Sequence, residues 1–315
     1  MRDTPFKRIA IVGPGALGCL LATALCRTNR DIWVLDHDSR RAALLQHSGL
    51  TLEQGDRSEH FPVHAVADAK LIGPVSLALL SVKSPALRQT LPSLLPLLAE
   101  NTLLLAWQNG IGHFPILSGA GLPCPVALAV TSLGAHLIGP GKVRFGGRGA
   151  TSLGFLGKES QTAISALQEA AELFRMAGLE ARVEDDILVQ VWNKLLVNVG
   201  INALTAIHDC ENGELLRNAQ ALAVLRAAVL EAAGVALAKG ISIDPDPVGR
   251  TIAVCQATSA NISSMLQDVR GRRKTEIEAI NGAVLDEAVR LGIPAPVNAE
   301  LVDAVKDLEQ RYLSG

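Results

Sequence analysis

The chain has 315 residues, enough for two domains rather than one core. Hydrophobic residues make up 49% and charged residues 19%, so buried sheet and helix have ample material, whereas an aromatic content of 3% disfavours base stacking on nucleic acid. A formal net charge of -2 gives no general attraction to nucleic acid or to acidic membranes.

Residues 8–12 (RIAIV) form a short apolar run bounded by glycine, as expected of a buried parallel strand. Gly13-Pro14-Gly15-Ala16-Leu17-Gly18 follows at once, and residues 19–27 continue as a helix. A GxGxxG at a strand-to-helix turn permits a tight turn and close backbone approach of a dinucleotide pyrophosphate to the helix N-terminus. Gly13, Gly15, Ala16, Leu17 and Gly18 are therefore expected to hold a dinucleotide. Pro14 removes one amide from the loop.

Residues 31–35 are a second strand, and Asp36 falls at its end, where an acid hydrogen-bonds an adenine ribose diol and favours NAD. His37, Arg40 and Arg41 follow and are placed to receive a 2′-phosphate, so this stretch points both ways on NAD against NADP. Each of the two arginines also fits a solvated helix start. Residues 51–66 read as a hairpin-like insertion, and 75–82 as the next buried strand, with Lys83 at its C-terminal end. That edge of an open α/β sheet is where ligands bind, although a surface lysine fits the position equally well. Residues 102–107 form another strand leading into Gln108-Asn109-Gly110-Ile111-Gly112, either a plain turn or a site where Asn109 faces a nicotinamide. Strands are expected at 126–131, 142–145, 151–155 and 180–183, with an amphipathic helix at 162–177. His136, after the first of these, reads as structural or surface histidine rather than an acid–base group.

From Asp185 onward strand patterns disappear, and helices are expected at 185–204, 213–240, 245–270, 272–292 and 298–313. The expected fold class is α/β, a Rossmann-type doubly wound N-terminal domain with an all-helical C-terminal domain. The expected domains are residues 1–184, binding dinucleotide, and 185–315, binding substrate and carrying the chemistry, with the cleft between them as the substrate site.

On the helix after Asp185-Asp186, Lys194, Asn198 and Asn202 are four apart and stack on one face. One ammonium and two amides in a stripe suit a small oxygen-rich molecule, and a solvated polar face is the equal alternative. Trp192, Leu195, Leu196 and Ile201 flank the stripe, and buried polar groups there would need partners. Residues 261–283 supply candidates: Glu276 as the partner carboxylate of Lys194, and Ser264 as a helix cap or a carboxylate ligand. Most charges of that stretch fit surface pairing.

Five scattered cysteines lack metal-ligand spacing and read as reduced thiols, and no metal site is expected. No signal peptide is expected before the first strand, and no apolar run reaches membrane-spanning length uninterrupted. A cytoplasmic location is therefore expected, with a small-molecule partner and neither nucleic acid nor membrane as a partner. The apolar helical half is compatible with a homodimer.

With GPGALG at 13–18, SVKS at 81–84, QNGIG at 108–112, WNKLLVN at 192–198, INALTAI at 201–207 and NISSMLQDVRGRRKTEIEAING at 261–282, the chain resembles the ketopantoate reductase family nearly end to end. The stretch at 192–207 and the one at 261–282 together are highly specific. The resemblance implies reduction of the ketone of 2-dehydropantoate by NADPH to (R)-pantoate, for pantothenate and coenzyme A synthesis. It implies Lys194 as general acid, Glu276 orienting it and binding substrate, Asn198 and Asn202 on substrate oxygens, and Ser264 on the substrate carboxylate. It places Asn109 and Lys83 near the nicotinamide end, with Asn109 also at the substrate, and gives the glycines the pyrophosphate. The chain departs from the family where a basic residue commonly follows the second strand: His37 stands there after Asp36, which keeps NADH open as cofactor beside NADPH. Two further readings are another branched 2-keto acid as substrate, and a non-catalytic NADP(H) sensor with a protein partner.

Overall fold

The computed structural model describes residues 6–313. The chain separates into two compact units, Met1–Gln108 with Ile116–Ile187, and Asn109–Pro115 with Leu188–Gly315.

The first unit runs β1 (Arg8–Val12), α1 (Ala16–Cys26), β2 (Asp31–Leu35), α2 (Ser39–Ser48), β3 (Leu50–Gln54), β4 (Arg57–Phe61), β5 (His64–Val66), β6 (Leu77–Leu80), α3 (Leu87–Leu94) and β7 (Leu103–Ala106). After α4 (Phe114–Ser118) come β8 (Val126–Thr131), β9 (Gly134–Gly139), β10 (Lys142–Gly147), β11 (Thr151–Gly154), α5 (Gln161–Met176) and β12 (Ala181–Val183). Eight strands form one sheet in the order β12-β11-β8-β7-β6-β1-β2-β5, parallel throughout except where β11 meets β8. β6, β7 and β11 are buried over their whole length, which is why β6 and β7 read as unbroken apolar runs. Strand order reverses at β1, which pairs with β2 on one side and β6 on the other. Ligands bind outside the C-terminal strand edge at such a switch point.

A second sheet, β4-β3-β10-β9, was only half expected. The hairpin β3–β4 matches the insertion read at 51–66, but β5 leaves it for the main sheet. No strand was expected at β9, because glycines bound it and the adjacent apolar residues Leu137 and Ile138 both lie exposed, masking its alternation. Pairing with β10 makes it a strand. α1 packs against strands of both sheets, so Gly18 to Leu25 are buried on every face of the helix.

The second unit holds α6 (Ile187–His208), α7 (Ala219–Ala238), α8 (Pro247–Ala257), α9 (Ser264–Arg270), α10 (Asn281–Leu291) and α11 (Pro296–Leu313). The helix read at 245–270 is two: Thr258 ends α8, and Ser263 caps α9 by accepting from Leu266 N. The helix read at 272–292 likewise starts only at Asn281, after a short 3-10 turn at Ile277–Ala279. By length and composition α6 and α7 could each cross a membrane, and most of the apolar window of α6 is buried. All five cysteines are unpaired.

Candidate active site

α6 forms because its apolar residues recur at helical spacing: Ile187, Trp192, Leu195, Leu196 and Val199 are all buried. Between them Lys194 and Asn198 are half-buried and Asn202 is buried, along one face of the helix. Lys194 Nζ donates to Asn109 Oδ1 at 2.7 Å, and Asn109 Nδ2 donates to Glu276 Oε2 at 3.0 Å. The link from ammonium to carboxylate thus runs through one amide, held at both ends.

The backbone explains why Asn109 stands there. Gly110 has φ +77, and a Cβ on it would lie 1.9 Å from Ala279 O. Only glycine permits that approach. The amides of Ile111 and Gly112 both donate to the same Ala279 carbonyl, at 3.1 and 3.3 Å. The segment after Gln108 is thereby pressed onto the turn that begins at buried Glu276. Burial pulls the Lys194 ammonium down to about 8, while the Glu276 carboxylate opposes that fall. The net shift is therefore downward.

Ser264 is the exposed first residue of α9, and the capping role belongs to its neighbour Ser263, whose hydroxyl also accepts from Thr205 Oγ1 at 2.7 Å. Sequence reading missed His113, which is 2% exposed, with an Nδ1 that has no hydrogen-bond partner among the described residues. Burial and then the Lys194 charge push its imidazole down to about 3, so it is neutral beside the ammonium. It also missed Gln108, whose Nε2 donates to the carbonyls of Leu80 and Val82 and ties the end of β7 to the end of β6. Gln108 opens the QNGIG stretch and His113 follows it, and that stretch is the one signal that pointed toward them.

In the first unit the C-terminal ends of β1, β2 and β6 carry the glycine loop, Asp36 and Lys83. Gly13 has φ +90, and a Cβ on Gly18 would meet Gly13 O at 2.2 Å and Ser81 Oγ at 2.6 Å, so α1 sits tight on the loop. Around Gly15 a Cβ would meet nothing within 4 Å, and α1 has no acidic residue in its first turn. The first-turn amides, those of Ala16, Leu17 and Gly18, have no intrahelical acceptor by helix geometry. An open, donor-rich helix start of this kind fits a diphosphate.

Asp36 does not stand open toward a diol. It is 1% exposed, and Arg41 grips it with Nε on one carboxylate oxygen and Nη2 on the other at 2.6 Å. Asp38 N donates to it as well, at 3.1 Å. The Asp36 carboxylate, through its hydrogen bonds, raises the guanidinium pKa further. His37 is exposed, with Nδ1 3.5 Å from Asp36, and the exposed Arg40 makes no ion pair among the described residues. Asp38 caps α2, accepting from Arg40 N and Arg41 N, which sets Arg41 one turn along and facing Asp36. Lys83 is exposed at the end of β6, and His136 lies on β9 in the smaller sheet.

Two family models match the chain: one described as ketopantoate reductase PanE/ApbA over residues 9–158, the other as its C-terminal part over 186–309. The 2-dehydropantoate 2-reductase of Halobacterium salinarum is 33% identical over 96% of this chain and 99% of its own. The crystal structure of a PanE/ApbA family ketopantoate reductase from Ralstonia eutropha superposes with a TM-score of 0.88 at 28% identity, covering 97% of this chain and 99% of that one. The ternary structure of D-mandelate dehydrogenase with NADH and anilino(oxo)acetate gives 0.89 at 27% identity, with coverage of 97% and 99%.

Proposed function

The chain belongs to the ketopantoate reductase family, and from that premise we propose that it reduces the ketone of 2-dehydropantoate to (R)-pantoate, the step that feeds pantothenate and coenzyme A synthesis. The observation that carries this reading is the Lys194–Asn109–Glu276 line beside the Asn198 and Asn202 amides. When bound, a reduced nicotinamide supplies the hydride that the ketone carbon receives. The protein's part is to meet the negative charge that develops on the ketone oxygen.

Lys194 is the general acid. At pH 7 an amine titrating at about 8 is mostly protonated, yet it gives up its proton far more readily than an ordinary lysine. Asn109 fixes the ammonium's direction, and Glu276 keeps burial from discharging it before substrate arrives. Asn198 and Asn202, one and two turns along the same face, donate to substrate oxygens, and the exposed Ser264 hydroxyl holds the substrate carboxylate. The amides of Ala16, Leu17 and Gly18 would hold the dinucleotide diphosphate at the turn that Gly13 and Gly15 shape, their own amides being given to the Leu35 and Gly13 carbonyls, with Lys83 toward its nicotinamide end.

The preferred dinucleotide in this reading is NADPH. Asp36, the residue that would favour NADH, is neutralised by Arg41, whose anchored guanidinium keeps Nη1 for a 2′-phosphate. Arg41, rather than Arg40 or His37, is the basic residue held in place there. The likeness to D-mandelate dehydrogenase favours a second reading, a 2-keto acid with another branched or aryl side chain. Initial rates with 2-dehydropantoate and a panel of 2-keto acids, each with NADPH and NADH, test both. The highest kcat/KM is expected for 2-dehydropantoate with NADPH. A higher value for an aryl keto acid selects the second reading, and no turnover of any keto acid refutes both.

A further inference from the structure

The end of α11 grips the loop that carries Glu276. Glu309 is 6% exposed, and its Oε1 accepts the Thr275 N–H at 2.6 Å. Lys306 Nζ lies 3.2 Å from Glu278 Oε1, and the Tyr312 hydroxyl donates to the Arg273 carbonyl at 3.0 Å. Thr275 is itself buried, and its Oγ1 accepts from Ile277 N at 3.2 Å. Residue 275 is thus fixed on its backbone and its side chain, and the next residue is Glu276. A single buried N–H needs only one acceptor, and a neutral amide would serve. Burying a carboxylate there costs more than satisfying that group requires, and returns a shorter, stronger bond.

We propose that Glu309 is a positioning residue of the reductase site: by holding the Thr275 N–H it sets where Glu276 presents its carboxylate to Asn109, and through Asn109 to Lys194. The line is continuous, from Glu309 to Thr275, across one peptide to Glu276, then to Asn109 and Lys194. The inference rests on the reductase reading above.

The test compares Glu309→Gln, which keeps an acceptor oxygen on a side chain of the same length, with Glu309→Leu, which removes it. Two quantities are read. One is kcat and KM for 2-dehydropantoate. The other, independent of turnover, is the pH dependence of Lys194 acetylation by acetic anhydride, followed by peptide mass spectrometry. In Glu309→Leu, kcat/KM is expected to fall on the order of 10²-fold, mainly in kcat, as for a displacement of about 1 Å at a catalytic group. The Lys194 titration is expected to move to lower pH, because a displaced Glu276 no longer supports the ammonium. Glu309→Gln is expected to restore most of the rate and the wild-type titration. If Glu309→Leu does not fold, Glu309→Asp, one methylene short of Thr275 N, takes its place. An unmoved Lys194 titration in the variant lacking the contact overturns the proposal, whether its rate is normal or low. Absence of wild-type turnover refutes the reductase reading instead, and leaves the acetylation comparison to judge Glu309 alone.

Discussion

Replacing Glu276 by glutamine changes one charge and almost no volume. The glutamine Oε1 still accepts from Asn109 Nδ2, so the hydrogen-bonded line is expected to survive. What disappears is the negative field at Lys194. The two bonds of the line, 2.7 and 3.0 Å, and the amide between them put the ammonium and carboxylate at most roughly 8 Å apart. At an effective dielectric constant of about 20, opposite unit charges at that distance attract by about 2 kcal/mol, roughly thirtyfold in the ammonium's acidity.

The sign follows from the roles. Glu276 raises the Lys194 pKa against burial, so its loss lets burial act alone and the pKa falls below about 8. A general acid works only while protonated. The basic limb of kcat against pH should therefore move from near 8 in the wild type to between about 6 and 7 in Glu276→Gln. Saturating substrate and NADPH, with absorbance of the reduced cofactor followed from pH 5.5 to 9.5, resolves this. Extra loss at all pH values is expected from weakened substrate contact and does not affect the limb. A limb that stays at 8 or moves upward would refute the reasoning, because Glu276 would then exert no field on the group that titrates.

Lys194→Ala should lower kcat by about 10²- to 10⁴-fold, the usual worth of a positioned acid, while NADPH quenching of tryptophan fluorescence still gives a near-normal Kd; near-normal turnover would remove Lys194 from the acid role. Arg41→Ala should weaken NADPH at least tenfold by the same titration, and NADH little, because it strips the 2′-phosphate donor and leaves Asp36 as a bare carboxylate beside it. The same change leaves a buried charge without its partner, and a melting curve should show a loss of up to about 3 kcal/mol. Gly18→Ala would put a methyl 2.2 Å from Gly13 O, so the glycine loop must shift. Stability should drop by about 1–3 kcal/mol, and binding of both dinucleotides should weaken together.

The main sheet was legible because its strands are buried on both faces and are spelled as apolar runs, with a glycine turn marking the switch point. β9 was not, since its residues lie at an edge and owe their strand conformation to β10. The break at 258–263 was also hidden, and the break after Arg270, expected to last one residue, extends to Ile280. Ser263 acts through its cap rather than through a glycine or proline, and Arg272 enters the left-handed region at φ +50 without the glycine that normally signals it. Contacts made far along the chain hold both breaks, among them Glu309 on Thr275, and periodicity within a short window carries no trace of them.

In the site, the residue types were legible and their couplings were not. Lys194 and Glu276 were paired in the sequence reading, and the amide of Asn109 stands between them. That placement matters chemically. A direct contact would hold the lysine pKa high and its proton on the carboxylate side. An intervening amide fixes the ammonium's direction while leaving the carboxylate only a distant field, so burial prevails and the pKa settles near 8. The same holds for Asp36. An acid after the second strand signals a ribose diol only if it faces outward, and orientation is decided by whichever cation reaches it first. Here the cap at Asp38 starts α2 so that Arg41 falls one turn along, facing Asp36, and takes both of its oxygens. The charge that should repel a 2′-phosphate becomes the anchor of the group that would bind it.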